Sequence, residues 1–512
     1  MRLALVGGSY TTRSIIASAQ RCINYYTEIN PKSAIVPTTH YQRPGLDHLF
    51  QVGSTGPIRG LYRASNTAGY VVGNNGFYLI NPDNSTTLLG TIGTNSGPVV
   101  MSDNGTALLL VDGSATGYHT TLGTTNFAVV DSSIDPNNTF RGADFTYYVD
   151  TYLIYNMRNS ALWGSTTSNA LQFNDQFVGS KQSYPDNIRS MYVNRREIFL
   201  FGDVKSEIHY NTGGTTDAPF PFSELPGTYI EHGVAAPHSV ASHDITVFWL
   251  ARDLQGEGVV LSFRGYLCQR VSNHALEEAI RQMQKTVGIT DALGMTYQLD
   301  GHLFYMLTFP AGNQTWVYDN SVQDPTAAWH QECWTHPTQG TLDRSRINCI
   351  AFINGRLMAG DWQNNTIYGL NMDKYTDTVI ADPGGSFVEC PIVFIRSFPH
   401  IGAARAMGAQ GMVEVDGKRL QFASFRADME CGMAPVDSTG NPATVSLRWS
   451  DDRGRTFGNA LLQQAGAPGE YLTQPQWLGM GVARDRIFEL SHNIAGPAAL
   501  NGAWVDAEVL GT

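Results

Sequence analysis

The chain has 512 residues, of which 42% are apolar and only 15% charged, and this excludes wholesale disorder while leaving room for two or three domains or one large β architecture. With charge so sparse, its 52 glycines and abundant Asn, Ser and Thr carry the polarity, which is the composition of short strands joined by tight turns. The net charge of −12, with no run of Lys and Arg, excludes a generic affinity for nucleic acid.

The opening MRLALVGG has a charged residue but only the four-residue apolar run LALV, too short for the core of a signal peptide. No stretch approaches 18 continuous apolar residues, so no membrane insertion is expected. Residues 1–51 then contain RCINYYTEINP (21–31), which leads into a proline-punctuated extended stretch. This region reads as an N-terminal arm laid on another body.

From residue 52 to 378 one pattern recurs: a short alternating strand, a tight polar turn, then a more strongly apolar strand. The copies are GYVVGNNGFYLI (69–80), PVVMSDNGTALLL (98–110), FTYYVDTYLIYN (145–156), SMYVNRREIFLFG (190–202), HSVASHDITVFWL (238–250), MTYQLDGHLFYML (295–307) and CIAFINGRLMAG (349–360). Asn75-Gly76, Asn104-Gly105, Asp300-Gly301 and Asn354-Gly355 supply turn chemistry suited to positive backbone angles, while Asp150, Asn194 and Asp244 sit near the other bends. A further strand with an aromatic follows most copies, as in SALWGST, SEIHYNT, QTWVYDN and NTIYGLN. One such meander cannot bury both its faces, but radially stacked copies can. An all-β chain is therefore expected, with a β-propeller of about seven blades at its centre. A series of β-sandwiches is the competing architecture.

The stretch SNHALEEAIRQMQK (272–285) reads as a helix inserted between two blades, capped by Ser272 or Asn273, with Leu276, Ile280 and Met283 on one face. The stretch WHQECWTH (329–336) groups His330, His336 and Cys333, but it fits a strand edge with packed Trp329 and Trp334 better than a zinc site. Cys22, Cys268, Cys333, Cys349, Cys390 and Cys431 form no C-x-x-C pair and read as buried free thiols. Residues 379–512 are again strand-rich, from SFVECPIVFIRSF to GAWVDAEVL, and read as a separate sandwich-like module.

Within that module SDDRGRTF (450–457) fits S-x-D-x-G-x-T-[FW], the Asp box of sialidase propeller blades. Its chemistry is structural: Asp452 accepts from turn amides, Gly454 takes the tight position and Phe457 packs below. A sialidase also needs three convergent arginines, a tyrosine nucleophile with a glutamate, and an aspartate acid. Arg141, Arg189 and Arg346 are available, but each is as well explained by turn or rim contacts. No nucleophile elbow, zinc-protease motif, phosphate loop or calcium loop occurs. No catalytic, cofactor-binding or metal-ligating residue is therefore assigned, no cofactor is expected, and the chain does not read as an enzyme.

Several stretches, taken in order, resemble tail proteins of short-tailed phages, the packaged-DNA stabilisation proteins that form a tail nozzle or hub. They begin with SYTTRSIIASAQRCINYYTEINP (9–31) and its core of Asn24, Tyr26 and Glu28. They continue through residues 146–156, 183–213, 220–258 and 270–280 to LRWSDDRGRTFGN (447–459) and WLGMGVARDRIFELS (477–491). The resemblance implies a mechanical role in the virion tail, after synthesis and assembly in the bacterial host cytoplasm. It implies a ring of copies, six in this family, beneath the portal-tail adaptor. Fibres or tailspikes attach around such a ring, and a needle or tip closes its distal end. Genomic DNA is retained and then leaves through the lumen without sequence-specific binding, which suits weakly charged, acidic walls. The arm at 1–51 would dock to the adaptor. The alternatives are a propeller glycosidase, to which only the Asp box and the propeller point, or a glycan-binding host-recognition protein using loops with exposed Trp or Tyr.

Overall fold

The structure is a computed structural model that describes every residue except 1–2, 4–7, 54, 216–217, 254, 323, 382–384, 403, 408–411, 416 and 511–512, with side chains left undescribed at 325–326, 404–407 and 412–415. The LALV run therefore lies, apart from Leu3, outside the described residues. Seven four-stranded antiparallel meanders follow one another from Ile58 to Asn371. Their first strands contact one another around a common axis and their fourth strands lie outermost. This is the β-propeller that the repeat predicts, with seven blades.

Seven buried clusters hold the ring, one at each junction between successive blades, the last joining blade 7 to blade 1. Side-chain alternation along the second strand of each blade explains them. In blade 2, Leu108 and Leu110 pack toward blade 1 while Leu109 and Val111 pack toward blade 3. In blade 5, Val247 and Trp249 face blade 4 while Phe248 and Leu250 face blade 6. A strand buried on both faces must be apolar at every position, which is why these strands are the strongly apolar half of each repeat.

The turns at 104, 150, 195, 244, 300 and 354 all join the first and second strands of their blades. The copy at 69–80 differs: it spans the second and third strands, Gly69–Gly73 and Gly76–Ile80, and the equivalent first turn lies at 64–68. Both hairpins of blade 1 carry turn residues, so the sequence pattern is shifted there by one strand. The bend of blade 4 falls on Arg195 and Arg196, both at positive φ, rather than on Asn194. Each arginine reaches a neighbouring turn: Arg196 grips Asp150 in blade 3 (2.6 and 2.9 Å) and Arg195 pairs with Asp244 in blade 5. The arginines are exposed, so solvent screening leaves these pairs little net effect on stability.

Sheet pairing draws the domain boundaries differently from the divisions at 51/52 and 378/379. Gly45–Gln51 is the outer strand of blade 7, in register with Thr366–Asn371, so the two ends of the propeller segment close the ring by hydrogen bonds. The residues before it are woven into the C-terminal module. Tyr25–Ile29 and Thr38–Gln42 pair with each other, and His40 is in register with Leu500 of the long strand Leu500–Val509. With Leu420–Met429 and Gln476–Leu478 they make one sheet. Cys22–Ile23, Phe394–Ser397, Asp485–His492, Thr444–Ser450 and Leu461–Gln464 make the other. A single core that includes Phe394, Phe422, Phe425, Trp477 and Phe488 lies between them, so the module is a β-sandwich that includes N-terminal strands.

The helix His274–Thr286 is capped by Asn273, whose side chain accepts from the Leu276 N–H (2.9 Å), and it buries Leu276, Ile280 and Met283 between blades 5 and 6. Among the described residues no helix is long and apolar enough to cross a membrane.

Candidate functional site at the propeller–sandwich junction

The chain crosses between sandwich and propeller at residues 43–44 and again near 391–393, and the two crossings lie side by side. Asn24 holds both. Its Nδ2 donates to the Val393 carbonyl (2.7 Å), and its Oδ1 accepts from Arg43 Nε (3.0 Å) and from the Cys333 N–H (2.8 Å). Its backbone carbonyl accepts from the Arg43 N–H (2.9 Å), and its φ of +60° directs the side chain into this position. Asparagine tolerates that left-handed conformation better than most residues, so one residue type meets both demands.

Arg43, buried at this point, donates to both carboxylate oxygens of Asp377 (3.2 and 2.6 Å) and to the Pro44 and Cys333 carbonyls. Burial works against its charge, but the Asp377 carboxylate outweighs it, so the guanidinium holds its proton more tightly than usual. Nearby Glu332 has its carboxyl pushed up by burial, and the Tyr297 hydroxyl donates to it at 3.3 Å. A buried pair of this kind adds little net stability but is costly to break, because either partner alone is an uncompensated charge.

Alternation then divides the next two residues between the bodies. Tyr25 enters the sandwich core, with its hydroxyl 2.5 Å from His492 Nε2 and its ring 5.3 Å from that of Phe394. Tyr26 enters the cluster between blades 6 and 7, edge-on to His302 and Phe304 at 5.2 and 5.6 Å. Ile23 pairs with Gln331 of blade 6 on one side and Ile395 of the sandwich on the other, so one sheet runs from the propeller into the sandwich. Of the Asn24–Tyr26–Glu28 core singled out in the sequence, Asn24 and Tyr26 rivet the two bodies together, while Glu28 lies opposite Thr39 in the sandwich sheet. Arg43 and Asp377 were missed, since nothing local marks residues 334 positions apart as partners.

The Asp box forms as its residues dictate. Asp452 accepts from the Arg455 and Thr456 N–H groups (3.0 and 2.9 Å), the Thr456 hydroxyl and the Ser450 hydroxyl, which hold its carboxyl well below the usual carboxylate range. Gly454 sits at φ +89° with its N–H on Ser450 Oγ (2.7 Å). Phe457 is half-buried, with its ring 4.9 Å from the Arg448 guanidinium. Neighbouring Asp451 does more for the core, gripping the buried Arg486 at 2.6 and 2.8 Å. The three arginines weighed for a sialidase are differently employed. Arg346 is fully buried on Asp361 (2.7 and 3.0 Å), Arg189 pairs at the surface with Asp203 (2.8 Å), and Arg141 is exposed.

In the 329–336 stretch, Trp329 and Trp334 are buried, and burial lowers His330 to about 4. Among the described residues no group of three or more His, Cys, Asp or Glu is placed to hold a metal. All six cysteines are free, but only Cys22, Cys390 and Cys431 are buried; Cys333 and Cys349 are partly buried, and Cys268 is exposed because Leu267–Arg270 is the outer edge strand of blade 5.

The chain is similar at 11–12% identity to the extracellular domains of a putative one-component system and a putative hybrid two-component system, both BT4673 from B. thetaiotaomicron. Those two matches have a TM-score of 0.42 and cover 84% and 82% of this chain but 48% and 47% of the other, so the chain spans about half the length of these structures. It also matches the computationally designed Ika8 protein, at 8% identity and a TM-score of 0.36, over 69% of this chain and 99% of that one. No curated protein matches. Two family models match: bacteriophage P22 Gp10, β-propeller, over residues 1–375, and bacteriophage P22 Gp10, β-sandwich, over residues 408–508. The chain belongs to the bacteriophage P22 Gp10 family, structural proteins of the packaged-DNA stabilisation class that form the tail nozzle of short-tailed phages.

Proposed function

We propose that this protein forms a ring, of six copies, that continues the DNA channel below the portal-tail adaptor, retains the packaged genome and releases it during ejection. The observation that carries this reading is the family match over both domains, joined to a junction where one sheet runs through both bodies. A wall that resists pressurised DNA needs bodies that do not hinge, and a shared sheet with a doubly pinned crossing supplies that. A net charge of −12 keeps passing phosphate from being held. The mechanism breaks no bond: heterologous contacts close the ring, and loops facing the lumen restrict it. The protein is made in the host cytoplasm and acts in the virion with fibres or tailspikes around it and a needle or tip below.

Docking to the adaptor, first expected of residues 1–51 as a whole, narrows to the loop between Tyr25–Ile29 and Thr38–Gln42, where Ile35 is 95% exposed. Ile35→Asp should leave the protein folded and block its joining to tails; normal tails carrying the variant would remove this assignment. For the main reading, particles assembled without the protein should lose their DNA on purification. Full retention of DNA by such particles would overturn the retention role. Glycan hydrolysis is the second reading only through the Asp box, and turnover of any member of a fluorogenic glycoside panel would revive it.

A further inference from the structure

A cavity of about 290 Å3 opens where the first strands of blades 1, 2, 6 and 7 begin, on the opposite side of the propeller from the 150–195–244 turns. Pro57, Pro98, Leu293, Pro310 and Trp362 give it largely apolar walls, and Arg344 is its exceptional member. Arg344 is only 8% exposed, and its guanidinium lies 4.0 Å from the centre of the Trp362 ring. Among the described residues no group accepts a hydrogen bond from its side chain, and Nη1 is buried without a partner. The three other deeply buried arginines described above, Arg43, Arg346 and Arg486, each grip a carboxylate.

Two acids support the Arg344 charge through space without a hydrogen bond to it: Asp361 holds Arg346, and Asp291, which lines the same cavity, accepts from the Ala311 N–H (2.7 Å). Burial lowers Arg344 to about 10, so it still carries its charge at neutral pH. A second arginine at the same cavity shows what saturation looks like. Arg59 donates to the Gly97, Asn74, Thr94 and Ser96 carbonyls and to Thr94 Oγ1, at 2.6–2.9 Å. A buried guanidinium without a hydrogen-bond acceptor is expensive, and a site that leaves one beside an open cavity is built to be completed from outside.

We propose that this cavity binds an organic oxyanion, a carboxylate or phosphate carried on a compact apolar body, with Arg344 as its anchor. The volume is near the lower end for small-ligand sites, about 300 Å3, and exceeds what a bare inorganic ion fills. The pairing of a stacked, planar guanidinium with proline and leucine walls selects for charge at one end of the ligand and for apolar surface at the other. The same chemistry could come from a free small acid or from an acidic side chain on a segment of a neighbouring protein.

The test titrates the full-length protein by calorimetry with benzoate, with benzamide, which has the same ring without the charge, and with a blocked Asp-containing tripeptide against its Asn counterpart. At least one charged member is expected to bind about tenfold or more tightly than its neutral partner. Arg344→Gln should erase that preference, and Arg344→Lys, which keeps the charge but not the planar fork, should retain it at weaker affinity. Leu293→Trp, which fills the cavity and leaves the guanidinium in place, should abolish binding. Preference for benzoate assigns a free small acid, and preference for the Asp peptide assigns a partner segment. Equal affinity for charged and neutral probes in the wild type, no binding at all, or a preference that survives Leu293→Trp would overturn the site and leave Arg344 solvated by water alone.

Discussion

Asn24→Ala tests the junction most sharply. The substitution leaves the buried Arg43 Nε–H and the partly buried Cys333 N–H without an acceptor, and the partly buried Val393 carbonyl without a donor. It also places alanine at a φ of +60°. Two stranded donors at about 1–3 kcal/mol each, with a further ~1 kcal/mol for the left-handed backbone, give a loss of about 3–7 kcal/mol against a domain stability of about 5–15 kcal/mol. Asn24→Gly removes the same hydrogen bonds but not the backbone preference, so it should be less damaging by about 1 kcal/mol. Scanning calorimetry is the assay. The account expects sandwich and propeller to melt together in the wild type and as two separated transitions in Asn24→Ala, with the earlier one shifted down. A single unsplit transition moved by less than about 1 kcal/mol would refute the claim that Asn24 couples the two bodies.

Three further outcomes follow from particular contacts. A Cβ on Gly45 would lie 2.3 Å from the Thr376 carbonyl, so Gly45→Ala should strain the closing strand of blade 7 and cost about 1–3 kcal/mol in urea unfolding. His492 is held neutral, with Nδ1 accepting from the Ile494 N–H (3.3 Å), and burial lowers it to about 3. The unfolded chain therefore takes up a proton below about pH 6.5 that the folded chain refuses, and stability falls as pH drops from there toward about 3. His492→Gln should flatten that pH slope by one proton, about 1.4 kcal/mol per pH unit; an unchanged slope would contradict the assignment. Asp452→Ala should open the 450–457 hairpin to protease without touching the propeller. Because the Asp452 carboxyl is depressed, protonation should open the same hairpin in the wild type only in strong acid, never at pH 4–5.

The propeller was legible in the sequence because its signals are local. A turn at positive φ and a strand that must be apolar on both faces recur within each blade, so they can be counted without knowing what packs on what. The Asn273 cap and the hydrogen bonds of the Asp box are equally local. What was illegible depends on distant partners. Gly45–Gln51 pairs with Thr366–Asn371, and Tyr25–Ile29 with strands of the sandwich, so residues read as an arm laid on another body are structural members of both bodies. Buried arginines were beyond reach for the same reason: nothing in the sequence near Arg43 or Arg486 marks Asp377 or Asp451 as the partner that makes burial tolerable.

The central claim, that the protein is a tail nozzle, is tested most directly by immunogold labelling of intact virus particles with an antibody to the sandwich, read by electron microscopy. The account predicts gold at one vertex of each capsid, on the tail. Unlabelled particles, with the protein recovered only from the host lysate, would contradict it.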